Sequence, residues 1–117
     1  MGRTELITHP DQLYAELWVS LASLLRSYGA VHGLVGNRQA VVEHDADRIF
    51  ASHGNRWMEL RRSGTAVTWK CEDGSRGTLE LTETGRLKSS SGEEEMDMAA
   101  EAWARDLMRE LPREFEQ

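Results

Sequence analysis

From residue 38 to residue 83 apolar and polar residues alternate, and turn-forming residues break the alternation every few positions. "QAVVEH" stops at "DAD", "RIFASH" at "GN", "RWMELR" at "RSGT", "AVTWKCE" at "DGS" and "GTLELTE" at "TG". A period of two belongs to a strand with one buried face, and pairs such as Gly54-Asn55 and Asp73-Gly74 suit tight hairpins. Connections this short cannot bring a chain round to a parallel neighbour. The segment therefore predicts an antiparallel meander of about five strands, with a weaker sixth at "RLKSS".

The flanks follow the helical period. Leu13, Leu17, Leu21, Leu24, Leu25 and Tyr28 recur at steps of three and four, and Trp18 and Ala22 widen the stripe. Thr8 with Asp11 suggests an N-terminal cap, Pro10 suits a first turn and Gly29 a stop, which predicts a helix over about 9–28. "GAVHGLVGN" then reads as a flexible connection. At the other end Ser91 and Glu94 have the spacing of a capping box, and Glu93, Glu95 and Asp97 complement the helix dipole. Met96, Ala99, Ala100, Trp103, Leu107 and Leu111 give the buried stripe of a helix over about 92–111. One face of an antiparallel sheet needs cover, and two terminal helices supply it. The expectation is an α+β two-layer sandwich, a single domain over residues 1–117, long enough to enclose one core.

Charge narrows the function classes. The net −6 is uneven: residues 38–90 carry nine basic against eight acidic side chains, and residues 91–117 carry three Arg against nine acids. Non-specific nucleic-acid binding rests on a basic footprint that such a chain lacks as a whole. No run approaches the length of a membrane span, and "MGRTELITHPDQ" has no secretory pattern. A single cysteine excludes an internal disulfide and a cysteine metal cage, and the default location is the cytoplasm.

Alternation sorts the strand residues by face. Met58, Leu60, Val67, Trp69, Cys71, Leu79 and Leu81 share the side to be covered, while Trp57, Glu59, Arg61, Thr68, Lys70, Arg76, Thr78 and Glu80 share the other. The open face is thus a mixed lattice of charge with one large aromatic. Single-strand nucleic-acid binding through Arg56, Arg61, Arg62, Lys70 and Arg76 is the weaker reading, because acids alternate with the bases and only Trp57 offers a stacking surface. Cross-strand ion pairing accounts for the same residues.

No catalytic set stands out. Cys71 has no histidine at a recognisable spacing, and a lone cysteine on the apolar side of a strand reads as a small buried residue. His44 and His53, with Glu43, Asp45 and Asp47, do not form a metal pattern; "HDAD" reads as an acidic turn. "GAVHGLVGN" lacks the Lys-Ser/Thr pair of a phosphate loop. No cofactor is implied. The sequence favours a non-catalytic protein-binding, adaptor or chaperone-like module acting as a homodimer, with Trp57, Arg61, Lys70 and the edge residue Val41 as candidate interface. The alternative is a small-ligand binder or minor enzyme with a cavity between sheet and helices, lined by Tyr28, Trp69, Cys71 and Trp103.

Overall fold

The computed structural model describes residues 3–33 and 40–109. Helix α1 (Arg3–Gly33) leads into strands β1 (Val41–His44), β2 (Arg48–His53), β3 (Arg56–Ser63), β4 (Ala66–Cys71), β5 (Arg76–Leu81), β6 (Arg86–Ser89) and β7 (Gly92–Glu95). Helix α2 (Met96–Met108) follows without a break. The strands form one sheet in chain order, each antiparallel to the next. The fold is α+β, with both helices packed on one face of a meander.

The meander has seven strands rather than five, and it reaches residue 95 rather than 83. "RLKSS" supplies β6, and "GEEE", expected to open the helix, supplies β7. Charge explains the exchange. Across the last ladder Arg86 stands opposite Glu95 and Lys88 opposite Glu93, and Arg86 Nη2 lies 3.0 Å from Glu95 Oε2. The glutamates read as helix-dipole partners serve instead as cross-strand partners of β6. Gly92 adopts φ 135°, which the Ser90–Ser91 turn needs and a side chain would resist. Helix α2 therefore starts at Met96, capped by Glu95 with no side-chain hydrogen bond, so the Ser91–Glu94 capping box does not form. It ends at Met108, short of Leu111, which lies outside the described residues, as does Pro112.

Helix α1 is longer than 9–28 at both ends, so the cap expected at Thr8 and Asp11 falls inside it. Gly29 does not stop it. A Cβ at that position would lie 3.1 Å from Ala40 Cβ, so the glycine serves a close approach to the chain entering β1. The first residues of "GAVHGLVGN" are helical, and 34–39 lie outside the described residues.

The core joins Trp18, Leu21, Ala22 and Leu25 of α1 to Ile49, Leu60, Val67, Leu81 and Leu87 of the sheet and Met96, Ala99 and Ala100 of α2. Alanines at 99, 100 and 104 let α2 sit close, since each is buried without a long side chain to accommodate. Trp18, 1% exposed, is the buried tryptophan. Its Nε1 donates to the Asp45 carbonyl at 3.1 Å, and the Arg62 guanidinium carbon stands 5.8 Å from its ring centre. Arg62 in turn donates to the carbonyls of Ala46 and Gly64. A Cβ at Gly85 would touch Leu17 Cδ2 at 3.6 Å. These contacts gather the turns β1–β2, β3–β4 and β5–β6 under α1. At the same end α2 begins, with Met96 N donating to Gly85 O. Its far end reaches Arg56, whose Nη1 donates to the Arg109 carbonyl at 3.2 Å. That far end is where the layer does not close.

Candidate ligand-binding hollow

At the C-terminal end of α2 the sheet and the helix leave a hollow of about 260 Å³. Its apolar walls are Met58, Trp69 and Cys71 from the covered face and Trp103 and Leu107 from α2, with Trp57 at its border. The β4–β5 turn (72–75) closes the floor. There the Asp73 carboxylate accepts from both the backbone N and the Oγ of Ser75, at 2.9 and 2.6 Å, which fixes the turn and holds Asp73 below the usual carboxylate range. The rim is charged. Arg56 Nε stands 3.8 Å from Glu72, and Arg109 Nη2 donates to Asp106 at 2.9 Å. Glu72 also accepts from the Trp57 backbone N at 2.9 Å, so the turn is tied to β3.

The hollow exists because of two local choices. Helix α2 packs its alanines and Leu107 inward, so Trp103 lies to the side of its buried stripe and is half-buried against the core rather than central. It separates the hollow from a smaller one of about 140 Å³ against Leu79, Leu87 and Ala99. On the sheet side, Gly77 opposite Trp69 has no side chain, and the indole spreads into the space this leaves. Cys71 is half-buried on the wall. Burial pushes its thiol above the ordinary value, with the Ser75 hydrogen bond and Arg56 opposing, so it stays protonated near neutral pH. Among the described residues no histidine lines the hollow.

Of the four residues expected to line a cavity, Trp69, Cys71 and Trp103 come together here. Tyr28 does not. Its hydroxyl donates to Asp97 Oδ1 at 2.6 Å near the start of α2, and one turn on His32 Nε2 lies 2.9 Å from Glu101. That pair of contacts joins the two helices instead. Trp57 was missed as a bordering residue, because face alternation alone put it on the open side.

The uncovered face follows the alternation. Val41, 52% exposed, Ser52 and Trp57 stand in one row across β1, β2 and β3. Trp57 is half-buried: Phe50, two ladder positions along on the same face, stacks on it with ring centres 5.9 Å apart. The Arg48 guanidinium carbon lies 5.0 Å from the Phe50 ring centre. The alternation of "RIFASH" places Arg48, Phe50 and Ser52 on the same face as Trp57. Arg61, Lys70 and Arg76 do share this face, whereas Arg56 borders the hollow and Arg62 lies under α1 against Trp18. The basic set named from the sequence is thus split between two faces. His44 and His53 stand at opposite ends of the first hairpin, and among the described residues no three His, Cys, Asp or Glu side chains converge as a metal would need.

Among the described residues no helix is long and apolar enough to cross a membrane. Comparison with protein-family models, curated proteins and solved structures finds no match.

Proposed function

We propose that this protein is a non-catalytic binding module that takes a small apolar or aromatic group into the hollow at the end of α2. The observation that carries this reading is the hollow itself: about 260 Å³ between sheet and helix, walled by Trp69, Trp103, Met58, Cys71 and Leu107. Concave sites with apolar aromatic walls and polar or charged groups at the rim are what small ligands and inserted side chains occupy. Burial holds the Cys71 thiol above its ordinary value, and among the described residues no histidine lines the hollow to take its proton, which favours binding over catalysis. With one cysteine the chain gains no disulfide from an oxidising compartment, and the cytoplasm is the location that goes with this reading.

The test is a titration of the full chain with indole, followed through the tryptophan Nε1–H resonances. The resonances of Trp69 and Trp103 move saturably, while that of Trp18, bonded to Asp45 at the other end of the layer, stays in place. No saturable movement, or equal movement at Trp18, defeats the proposal.

A second reading is supported by the row Val41–Ser52–Trp57 on the uncovered face. An exposed valine on an edge strand, beside a half-buried tryptophan, offers a two-fold contact to a second copy of the chain.

A further inference from the structure

The uncovered face carries two unfavourable pairings at its centre. Arg48 stands directly opposite Arg61, and Lys70 directly opposite Arg76. Like charges opposed across an antiparallel pair destabilise it. One carboxylate serves most of this group: Glu59, only 7% exposed. It accepts from Arg48 Nε and from Arg61 Nη2 at 3.3 Å, and Lys70 Nζ lies 3.6 Å from its other oxygen. Arg76 makes no ion pair among the described residues. Glu59 thus serves three cations, with Glu43 and Asp45 also near Arg48 and with Arg76 unpaired among the described residues, in a chain whose net charge is −6.

The cluster is also concave. Arg61, Lys70 and Arg76, with Thr68 and Thr78, surround a depression of about 470 Å³ that has Glu59 to one side. The Arg61 and Lys70 side chains are about 60% exposed, free to turn toward an occupant.

We infer that this concavity binds a phosphoryl group. Three cations against one carboxylate leave the depression a surplus of two positive charges, which a monocarboxylate matches poorly. A phosphoryl group carries about two negative charges and three strong acceptor oxygens. Guanidinium forks from Arg61 and Arg76 fit those oxygens in pairs, Lys70 adds a point charge, and the threonines add hydroxyl donors. Glu59 keeps Arg48 and Arg61 in position from below, and its single charge leaves the surplus intact. The charged groups of this site lie on the opposite face of the sheet from the hollow at α2, although Trp69 borders both. The phosphoryl group has two sources to consider, a small phosphorylated ligand or the backbone of a single-stranded nucleic acid. In the second case bases would stack on the Phe50–Trp57 pair beside the cluster.

Calorimetric titration of the full chain with pyrophosphate, and separately with a short oligothymidylate, tests this. Binding is saturable and weakens as salt rises from about 50 to about 200 mM. Lys70→Gln and Arg76→Gln each weaken it about tenfold, the loss expected for one charged hydrogen-bonding partner. Lys88→Gln, on the same face outside the cluster, binds as the parent does. Without ligand, Arg76→Gln melts no lower than the parent, because a like-charge pair has gone; a purely structural Arg76 would melt lower. Pyrophosphate binding that the oligonucleotide does not exceed supports the inference with a small ligand as source. Tighter oligonucleotide binding that Trp57→Ala reduces supports it with a nucleic-acid strand as source. No saturable heat from either probe at millimolar concentration, or equal binding by the parent and both cluster variants, overturns it.

Discussion

The Trp69 indole occupies the space where a side chain at Gly77 would stand: a Cβ there would lie 2.8 Å from its Nε1, Cε2 and Cζ2 atoms. The two residues are direct partners across β4 and β5. The missing side chain is what lets one wall of the hollow take its shape. Gly77→Ala is therefore an overpacking change, expected to cost about 1–3 kcal/mol. It should also displace Trp69 and alter the tryptophan emission. An unchanged melting temperature with unchanged emission would mean that the indole moves aside without penalty and that Gly77 does not shape the wall.

Glu59 gives the fold an acid-sensitive point. The hydrogen bond from Arg48 holds its carboxyl below the usual carboxylate range, and Arg61 and Lys70 add to this while burial opposes it. A depressed carboxylate contributes stability that is present above its unfolded pKa of about 4.3 and is lost as pH falls through the lower folded value. Asp45 and Asp73, also depressed by local hydrogen bonds, act in the same direction. Glu59→Gln should therefore lower stability at neutral pH, by about 1–3 kcal/mol. Its stability should also fall less than the parent's as pH drops below about 4. Denaturant melts at neutral and acid pH measure both, and parallel profiles would remove Glu59 from this role.

Cys71 should behave as a partly shielded thiol. Burial raises its pKa, so the thiolate fraction at neutral pH is below that of a free cysteine. A thiol reagent should label it slowly in the native protein and rapidly in denaturant, and indole in the hollow should slow the native reaction further. Native labelling as fast as in denaturant would show an activated thiol and would reopen a catalytic reading of the hollow.

How much of this was legible in the sequence differs from element to element. The face each strand residue occupies follows from alternation, and hairpin turns at Gly54-Asn55 and around Gly74 follow from their turn residues. These signals are local. The glutamates 93–95 were ambiguous because acids suit both a helix N-terminus and a strand opposite Arg86 and Lys88, and only the tertiary pairing chooses. Gly29 read as a stop because its partner, Ala40, is brought to it by the fold. The hollow was half legible. Trp69, Cys71 and Trp103 were grouped by face, but Tyr28 needed knowledge of which end of α2 it meets. Gly77 carried no signal of its own.

The tryptophans rank differently from what helical periodicity implies. Trp103 sits mid-stripe in sequence, yet alanines and Leu107 take the inward positions of α2 and leave it half-buried between two hollows. Trp18 is 1% exposed, bonded to the Asp45 carbonyl and covered by Arg62. Trp18→Ala should cost about 3–5 kcal/mol, and Trp103→Ala less, since Trp103 is only partly buried at the edge of the core. Chemical denaturation of the two variants gives the order directly. A larger loss at Trp103 would mean that the hollow closes around it in solution.

Association has two surfaces to choose from, and the structure weakens one of them. Strand β1 is an edge, but Arg26 of α1 donates to its Val42 carbonyl at 2.9 Å, which occupies a group that strand addition would need. Strand β7, the other edge, presents three exposed glutamates that repel a second copy of themselves. If the chain dimerises, contact through the side chains of the uncovered face is the route left, with Val41 and Trp57 in one row. Light scattering should then give about twice the chain mass of 13.3 kDa at micromolar concentration. Val41→Lys and Trp57→Ala should shift the protein toward monomer, while Arg26→Ala, which frees the edge carbonyl, should not be needed for the dimer to form. A mass near that of one chain at every concentration would leave the row without a second copy and defeat this reading.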